Sequence, residues 1–152
     1  MARIEDMDET LRGHLEHLEI PEWDDTPCVA GPPLSERRVA IISTAGLQRP
    51  GDRPFTMGSS DYRVIPTEAA GTLQMSHLST NFDRSGFQQD TNVVFPLDRL
   101  NEMAEAGEIG SVGDFHYSFM GALDPETMKD AASQLAGLLK QDQVDAVLLT
   151  PV

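Results

Sequence analysis

The strongest constraint on the fold is an amphipathic helix that leads directly into a short apolar strand near the end of the chain. Asp124 and Pro125 are typical of the N-cap and the first residue of a helix, and apolar residues follow at helical spacing. The helix is expected to end near Lys140, and the apolar run 146–150 comes soon after it. A helix followed by a buried strand indicates the second half of a βαβ unit, with parallel strands and a right-handed crossover.

Other segments fit the same class of fold. The run 39–42 is apolar and rich in β-branched residues, which favours a buried parallel strand, and 62–66 and 73–78 predict two further short strands. Pro96 and Gly107 bracket another helix with the usual proline start and glycine stop. We therefore predict an α/β fold with a mostly parallel sheet flanked by helices. The arrangement is expected to be three-layered, Rossmann-like or flavodoxin-like, and incomplete in this chain.

The chain is expected to have two parts. Residues 1–33 predict an acidic amphipathic helix over 3–19, followed by a proline-rich linker. Residues 34–152 are expected to form the α/β domain, in which 47–60 and 79–92 are expected to be long loops.

Composition excludes several classes of partner. The net charge of −14 argues against binding to nucleic acid or to an anionic membrane surface, because both depend on Lys and Arg. No apolar run is long enough for a transmembrane helix, and no signal peptide is visible. The single cysteine, Cys28, suits a reducing cytoplasm and predicts a cytoplasmic protein.

The apolar strand 146–150 raises the question of what covers it. Burying Val147, Leu148 and Leu149 would contribute about 5–9 kcal/mol, so we expect this strand inside the sheet with a layer on each face. A parallel strand is normally covered by the helix that follows it, and chemistry in open α/β sheets lies just beyond the carboxyl ends of the strands. The chain is therefore expected to stop close to an active-site loop. The physics alone leaves open that the domain simply finishes on a strand.

A series of blocks in the chain resembles the selenoprotein B family of glycine, sarcosine, betaine and D-proline reductases. The resemblance spans about residues 34–152, and the order of several blocks makes it more specific than any one block. The blocks are residues 34–46, 61–66, 76–77, 95–100, 107–112, 116–121 and 144–152.

The resemblance implies a redox mechanism whose central residue is not in this chain. In that family a selenocysteine or cysteine follows the last strand, with a second cysteine a few residues later, so we expect the redox residue immediately after Val152 and an in-frame UGA codon there. Its anion would attack an activated substrate atom, and the second cysteine would resolve the product. The resemblance also implies a small amino-acid-like substrate, a thiol/disulfide donor protein and a partner reductase subunit. A homo-oligomer is expected on a separate ground, because a flank of the last strand should be uncovered. No cofactor is expected in this chain.

The candidate site residues are those expected near the carboxyl ends of strands or in the polar loops. Thr44 and Gly46 follow the first strand and would offer a hydroxyl and backbone N–H groups to a carboxylate, or form a plain tight turn. His77 is either a proton relay beside the redox centre or a core histidine. The full set of substrate-binding candidates is Thr44, Gly46, His77, Asp83, Asp90, His116, Tyr117 and Thr150.

Two alternative functions remain open. The chain would be a non-catalytic binding or scaffold subunit if it has lost its redox residue. It would be a metal-dependent hydrolase if His77, Asp83, Asp90 and His116 came together, although their spacing matches no standard zinc pattern, so no metal site is predicted. Packing is the ordinary role for His116 and Tyr117, which lie in an aromatic segment.

Overall fold

The computed structural model describes residues 4–17, 29–78, 85–121 and 123–152. It contains four α-helices and seven strands within these ranges. The helices are α1 (Glu9–Glu16), α2 (Ser85–Gln89), α3 (Leu97–Glu105) and α4 (Lys129–Gln141). The strands are β1 (Arg38–Ser43), β2 (Leu47–Gln48), β3 (Tyr62–Pro66), β4 (Gln74–Met75), β5 (Ser111–Val112), β6 (Phe115–Phe119) and β7 (Ala146–Thr150).

One mostly parallel sheet organises the fold. Its centre is β1, which pairs in parallel with β7 on one side and with β5 and then β6 on the other. The outer strand β3 runs antiparallel to β6, and β2 and β4 form a separate two-stranded ribbon. The predicted α/β class with a mostly parallel sheet is confirmed. The finer flavodoxin-like assignment is not confirmed, because the antiparallel β3 differs from that all-parallel strand order.

Helices pack on both faces of this sheet. Side chains alternate between faces along a strand, so Val39 and Ile41 of β1 point to one face, where α3 contributes Leu97 and Leu100 to the buried core. Tyr117 and Phe119 of β6 point to the other face and pack against Leu135 of α4.

The prediction that the last strand is buried on both faces is wrong. The position of β7 and its parallel pairing with β1 agree with the sequence, but Val147, Leu148 and Leu149 are 41%, 37% and 64% exposed. The physical reason is the placement of α4, which lies against β6 and β3 instead of against the strand it leads into. Among the described residues, β7 pairs with β1 alone.

Both predicted helices of the α/β domain are confirmed. Asp124 accepts a hydrogen bond from the backbone N–H of Glu126 at 3.0 Å, and a 3-10 turn over Pro125–Met128 leads into α4. Pro96 lies at the N-cap of α3 instead of at its first residue, and Gly107 follows with a φ of 72°.

Other sequence predictions are confirmed only in part. Of the predicted strand 73–78, only Gln74–Met75 is a strand, β4. The predicted polar loop 79–92 is described from residue 85 onward, and that part contains α2. The predicted helix over 3–19 is described as a 3-10 turn followed by α1, with its first residue and last two residues outside the described ranges. No helix in the described part of the chain is long and apolar enough to cross a membrane.

An ionic cluster closes the amino-terminal edge of the sheet. Arg38 donates to the Asp142 carboxylate at 2.7 Å and to the carbonyl of Val112 at 2.7 Å, and it forms an ion pair with Asp114 at 3.0 Å. The second carboxylate oxygen of Asp142 accepts from the backbone N–H groups of Asp114 and Phe115. Burial alone would raise the pKa of Asp142, but these hydrogen bonds and the Arg38 charge outweigh it and hold the pKa below its ordinary value. One carboxylate thus joins β1, β6 and the end of α4.

We predict that Asp142→Ala lowers the free energy of unfolding by about 2–4 kcal/mol, because it leaves Arg38 and two backbone N–H groups without their acceptor. Glu105→Ala, at an exposed position near the end of α3, is the matched control and is expected to change stability little. Urea denaturation followed by circular dichroism measures both, and equal midpoints for the two variants would contradict the assignment.

Candidate functional site

The carboxyl ends of three parallel strands meet at one edge of the sheet. Ser43, Phe119 and Thr150 end β1, β6 and β7, and the backbone N–H of Thr44 donates to the carbonyl of Thr150 at 3.1 Å. The hydroxyl of Thr44 accepts a hydrogen bond from the backbone N–H of Val152 at 2.8 Å. This is the edge at which open α/β sheets bind their ligands.

Gly46 makes the turn that follows β1. Its φ of 65° lies in the left-handed region, and a Cβ there would come within 3.0 Å of the backbone nitrogen of His77. Its N–H donates to the carbonyl of Phe119 at 2.8 Å, and its carbonyl accepts from the N–H of Ser76 at 2.8 Å. The turn therefore requires glycine and ties β1 to β6 and to the segment carrying His77.

The structure brings four of the predicted site residues to this edge. Thr44 and Thr150 are directly hydrogen-bonded through their backbones, and Gly46 lies against His77, whose side chain is 3% exposed. The hydroxyl of Thr150 is buried and has no hydrogen-bond partner within the described ranges. The edge thus combines hydroxyl groups with closely packed backbone.

His116 lies elsewhere, in the middle of the sheet. Its Nδ1 accepts a hydrogen bond from the backbone N–H of Ile41 at 2.9 Å, so the proton is on Nε2, which lies 3.2 Å from the hydroxyl of Thr67. The ring also packs edge-on against Phe95 at a centroid distance of 5.5 Å. Burial lowers the pKa of His116 to about 4 and keeps the ring neutral. Both ring nitrogens therefore have partners within the fold, the N–H of Ile41 and the hydroxyl of Thr67.

Tyr117 faces the opposite side of the sheet from His116. It packs edge-on against Tyr62 at 5.8 Å, and burial raises the pKa of its hydroxyl. It lies at a groove of about 330 Å³ whose walls include Phe115 and Leu138. The groove also reaches Asp142, so it lies toward the amino-terminal edge of the sheet.

The predicted loop acid Asp90 has a local capping role in the described structure. Asp90 caps the 3-10 turn Thr91–Val93 by accepting from the N–H of Asn92 at 2.9 Å, and this hydrogen bond lowers the pKa of Asp90. Asp83 lies outside the described residues. Within the described ranges, no group of three or more His, Cys, Asp or Glu side chains is placed to hold a metal ion.

Sequence reasoning missed Ser43 and Gly121, which build the carboxyl edge together with Ser118. Ser43 donates to the carbonyl of Val94 at 2.8 Å, and Ser118 accepts from the N–H of Leu47 at 2.8 Å; both are fully buried. Gly121 has a φ of 70°, and a Cβ there would come within 2.9 Å of the Thr44 Cβ. The available signal was a serine inside or directly after an apolar run, at 43 and at 118.

We predict that His116 makes stability depend on pH. The pKa of His116 in the folded protein is about 4, below the ordinary 6.5. Its contribution to the free energy of unfolding is therefore complete above about pH 6.5 and is lost as the pH falls toward 4, which lowers that free energy by about 3 kcal/mol. His116→Asn keeps an acceptor for Ile41 and should flatten this part of the profile, which urea denaturation between pH 7 and pH 4.5 measures. His17→Asn, at an exposed position after α1, should keep the wild-type slope. A wild-type slope in His116→Asn would contradict the neutral, buried assignment.

Comparison with known proteins identifies the family. The family model described as glycine/sarcosine/betaine reductase selenoprotein B (GRDB) matches residues 12–152, so the match begins before residue 34. No solved structure matches.

Curated relatives agree with the family model. The chain is 31% identical over 121 residues to the D-proline reductase subunit gamma of Acetoanaerobium sticklandii, which covers 77% of the chain and 49% of the relative. It is 30% identical over 142 residues to the betaine reductase complex component B subunit beta of Peptoclostridium acidaminophilum, covering 88% of the chain and 32% of the relative. A glycine reductase complex component B subunit gamma from Carboxydothermus hydrogenoformans is 28% identical with the same coverage. The chain spans about half the length of the first relative and a third of the others, and it belongs to the glycine/sarcosine/betaine reductase selenoprotein B family.

Proposed function

We propose that this chain is part of a B-type reductase component that cleaves a small amino-acid-like substrate reductively, with a dithiol/disulfide couple as electron source. The family match over residues 12–152 supports the class of protein. The named relatives, which are subunits of D-proline, betaine and glycine reductases, support the class of reaction. The substrate, the thiol donor protein and the partner subunit all belong to this proposal.

The observation that carries the proposal is the assembly at the carboxyl edge of the sheet. β7 ends there at Thr150, beside Thr44 at the end of β1, and Val152 is hydrogen-bonded to the Thr44 side chain. Any residue that follows Val152 in a longer protein therefore starts at this edge. In this proposal that residue is a selenocysteine or cysteine, followed by a second cysteine.

A selenolate or thiolate supplies the nucleophile in such a reaction, because the anion is the reactive form and positively polarised surroundings lower its pKa. The residues of this chain would support that nucleophile by holding the strand ends in place. Thr44 and Gly46 hold the ends of β1, β6 and β7 together, and the buried hydroxyl of Thr150 is a hydrogen-bonding group not used within the described ranges. Leu149 and Val147 are exposed apolar side chains on the strand that ends at Thr150.

A second candidate is a non-catalytic binding subunit. The exposed face of β7 favours it, because a strand with Val147 and Leu149 in solvent offers both apolar side chains and backbone hydrogen-bonding groups to a partner. The two candidates differ in whether a redox residue is encoded after Val152.

We predict that the 152-residue chain alone is inactive in dithiol-linked reduction, whereas a protein extended through the codons after Val152 carries a reactive selenol or thiol. Sequencing these codons, followed by iodoacetamide labelling and mass spectrometry of the extended protein, tests this directly. The 152-residue chain is the matched control, with only Cys28 to label. Turnover by the control, or the absence of selenocysteine and cysteine codons downstream, would overturn the proposal.

We also predict that the 152-residue chain self-associates through the exposed apolar strand β7. Leu149→Lys places a charge on the most exposed of its apolar residues and should shift the chain toward monomer. Gln134→Lys makes the same change from neutral to positive charge at an exposed position of α4 and should leave association unchanged. Size-exclusion chromatography with light scattering gives the masses, and a wild-type monomer at high concentration would contradict the prediction.

A further inference from the structure

The side chain of Thr44 holds the backbone two residues after the end of β7. The N–H of Val152 donates to the Thr44 hydroxyl at 2.8 Å, and the carbonyl oxygen of Val152 lies 3.5 Å from the same hydroxyl. The backbone of Thr44 is fixed in turn, because its N–H donates to the carbonyl of Thr150 at 3.1 Å. The pairing of β7 with β1 ends at Thr150. Beyond that point, the Thr44 hydroxyl takes the place of a main-chain hydrogen-bond partner for the N–H of Val152.

Gly121 limits the space available to the Thr44 side chain. A Cβ at position 121 would lie 2.9 Å from the Thr44 Cβ and 3.1 Å from its carbonyl oxygen. The two residues are therefore in close contact, and the positive φ of Gly121 brings its backbone there. Threonine is also stiffer at χ1 than serine, so the direction of its hydroxyl is well defined. We call Thr44, Gly121 and Val152 the Thr44 clamp.

We propose that Thr44 is a positioning residue, whose hydroxyl sets the direction in which the chain leaves β7 and so places the residue after Val152. The role at that next residue rests on the proposed function, in which it is a selenocysteine or cysteine. Thr44 acts through the backbone of Val152 and does not touch the reacting atoms. Its contribution to rate is geometric, and a displacement of about 1 Å at a reacting atom costs roughly 100-fold.

The clamp is tested first in the 152-residue chain, by a measurement that does not depend on enzymatic activity. Thr44→Val removes the hydroxyl at nearly constant volume, and Thr44→Ala is a second variant in case the added methyl is not accommodated. Thr44→Ser retains the hydroxyl. Thr72→Val is the matched control, since it removes a hydroxyl that also bonds to backbone, at the Ala69 carbonyl, away from the carboxyl edge.

The measurement is hydrogen exchange of the Val152 amide by NMR. Loss of a hydrogen bond worth about 1 kcal/mol should speed exchange about fivefold in Thr44→Val and Thr44→Ala. Thr44→Ser and Thr72→Val should retain the wild-type rate. An unchanged rate in folded Thr44→Val or Thr44→Ala overturns the clamp.

The consequence for chemistry is tested in the protein extended beyond Val152. Thr44→Val should lower kcat of dithiol-linked reduction about 100-fold with little change in KM, and Thr44→Ser should restore most of kcat. Wild-type kcat in Thr44→Val would overturn the positioning role. If the downstream codons encode neither selenocysteine nor cysteine, the proposed function fails, while the exchange rate of Val152 still decides whether the clamp exists.

Discussion

The fold depends on the hydrogen-bonding requirement of one strand, β1. Val39, Ala40, Ile41 and Ser43 are almost completely buried, so the backbone groups of β1 must find partners on both sides. β7 supplies them along one side, whereas the other side is shared by β5 and β6, which are separated by a turn at Gly113. The N–H of Ile41 falls in that gap, and the ring of His116 accepts from it instead of a backbone carbonyl. A histidine that resembles a catalytic residue in the sequence is thus a structural part of the sheet.

The two edges of the sheet are built from different chemistry. Charges close the amino-terminal edge, where Arg38 and Asp142 join three elements through hydrogen bonds that are part-buried or exposed. Hydroxyl groups and glycines build the carboxyl edge, where Thr44, Gly46 and Gly121 hold the strand ends in close contact. A close approach of backbones needs residues without bulky side chains, and it leaves small polar groups facing the place where the chain leaves the sheet.

Local patterns predicted α3, α4, β1, β3 and β7 but not β2, β5 or β6, and they predicted the environments of these elements less well. The helices that start at Asp124 and Pro96 follow from capping residues and apolar spacing, which act within one turn. β6 was not predicted as a strand, because its polar His116 and Ser118 interrupt an apolar pattern and become compatible with burial only through contacts from Ile41, Thr67 and Leu47. The exposure of β7 was also missed. Its apolar sequence indicates burial, but the helix before it lies over β6.

The sequence by itself determined the α/β class, the location of the buried parallel strand over 39–42, the two helices that flank the sheet and the family resemblance, because these depend on local periodicity and on ordered blocks of residues. It also placed Thr44, Gly46, His77 and Thr150 among the candidates, since strand ends are readable from the pattern. Only the tertiary structure decided which candidates share an edge. Thr44 and Thr150 are 106 residues apart in the sequence and meet because β1 and β7 pair in parallel. His116 accepts a hydrogen bond from the backbone N–H of Ile41 within the sheet, and no local pattern indicates that contact.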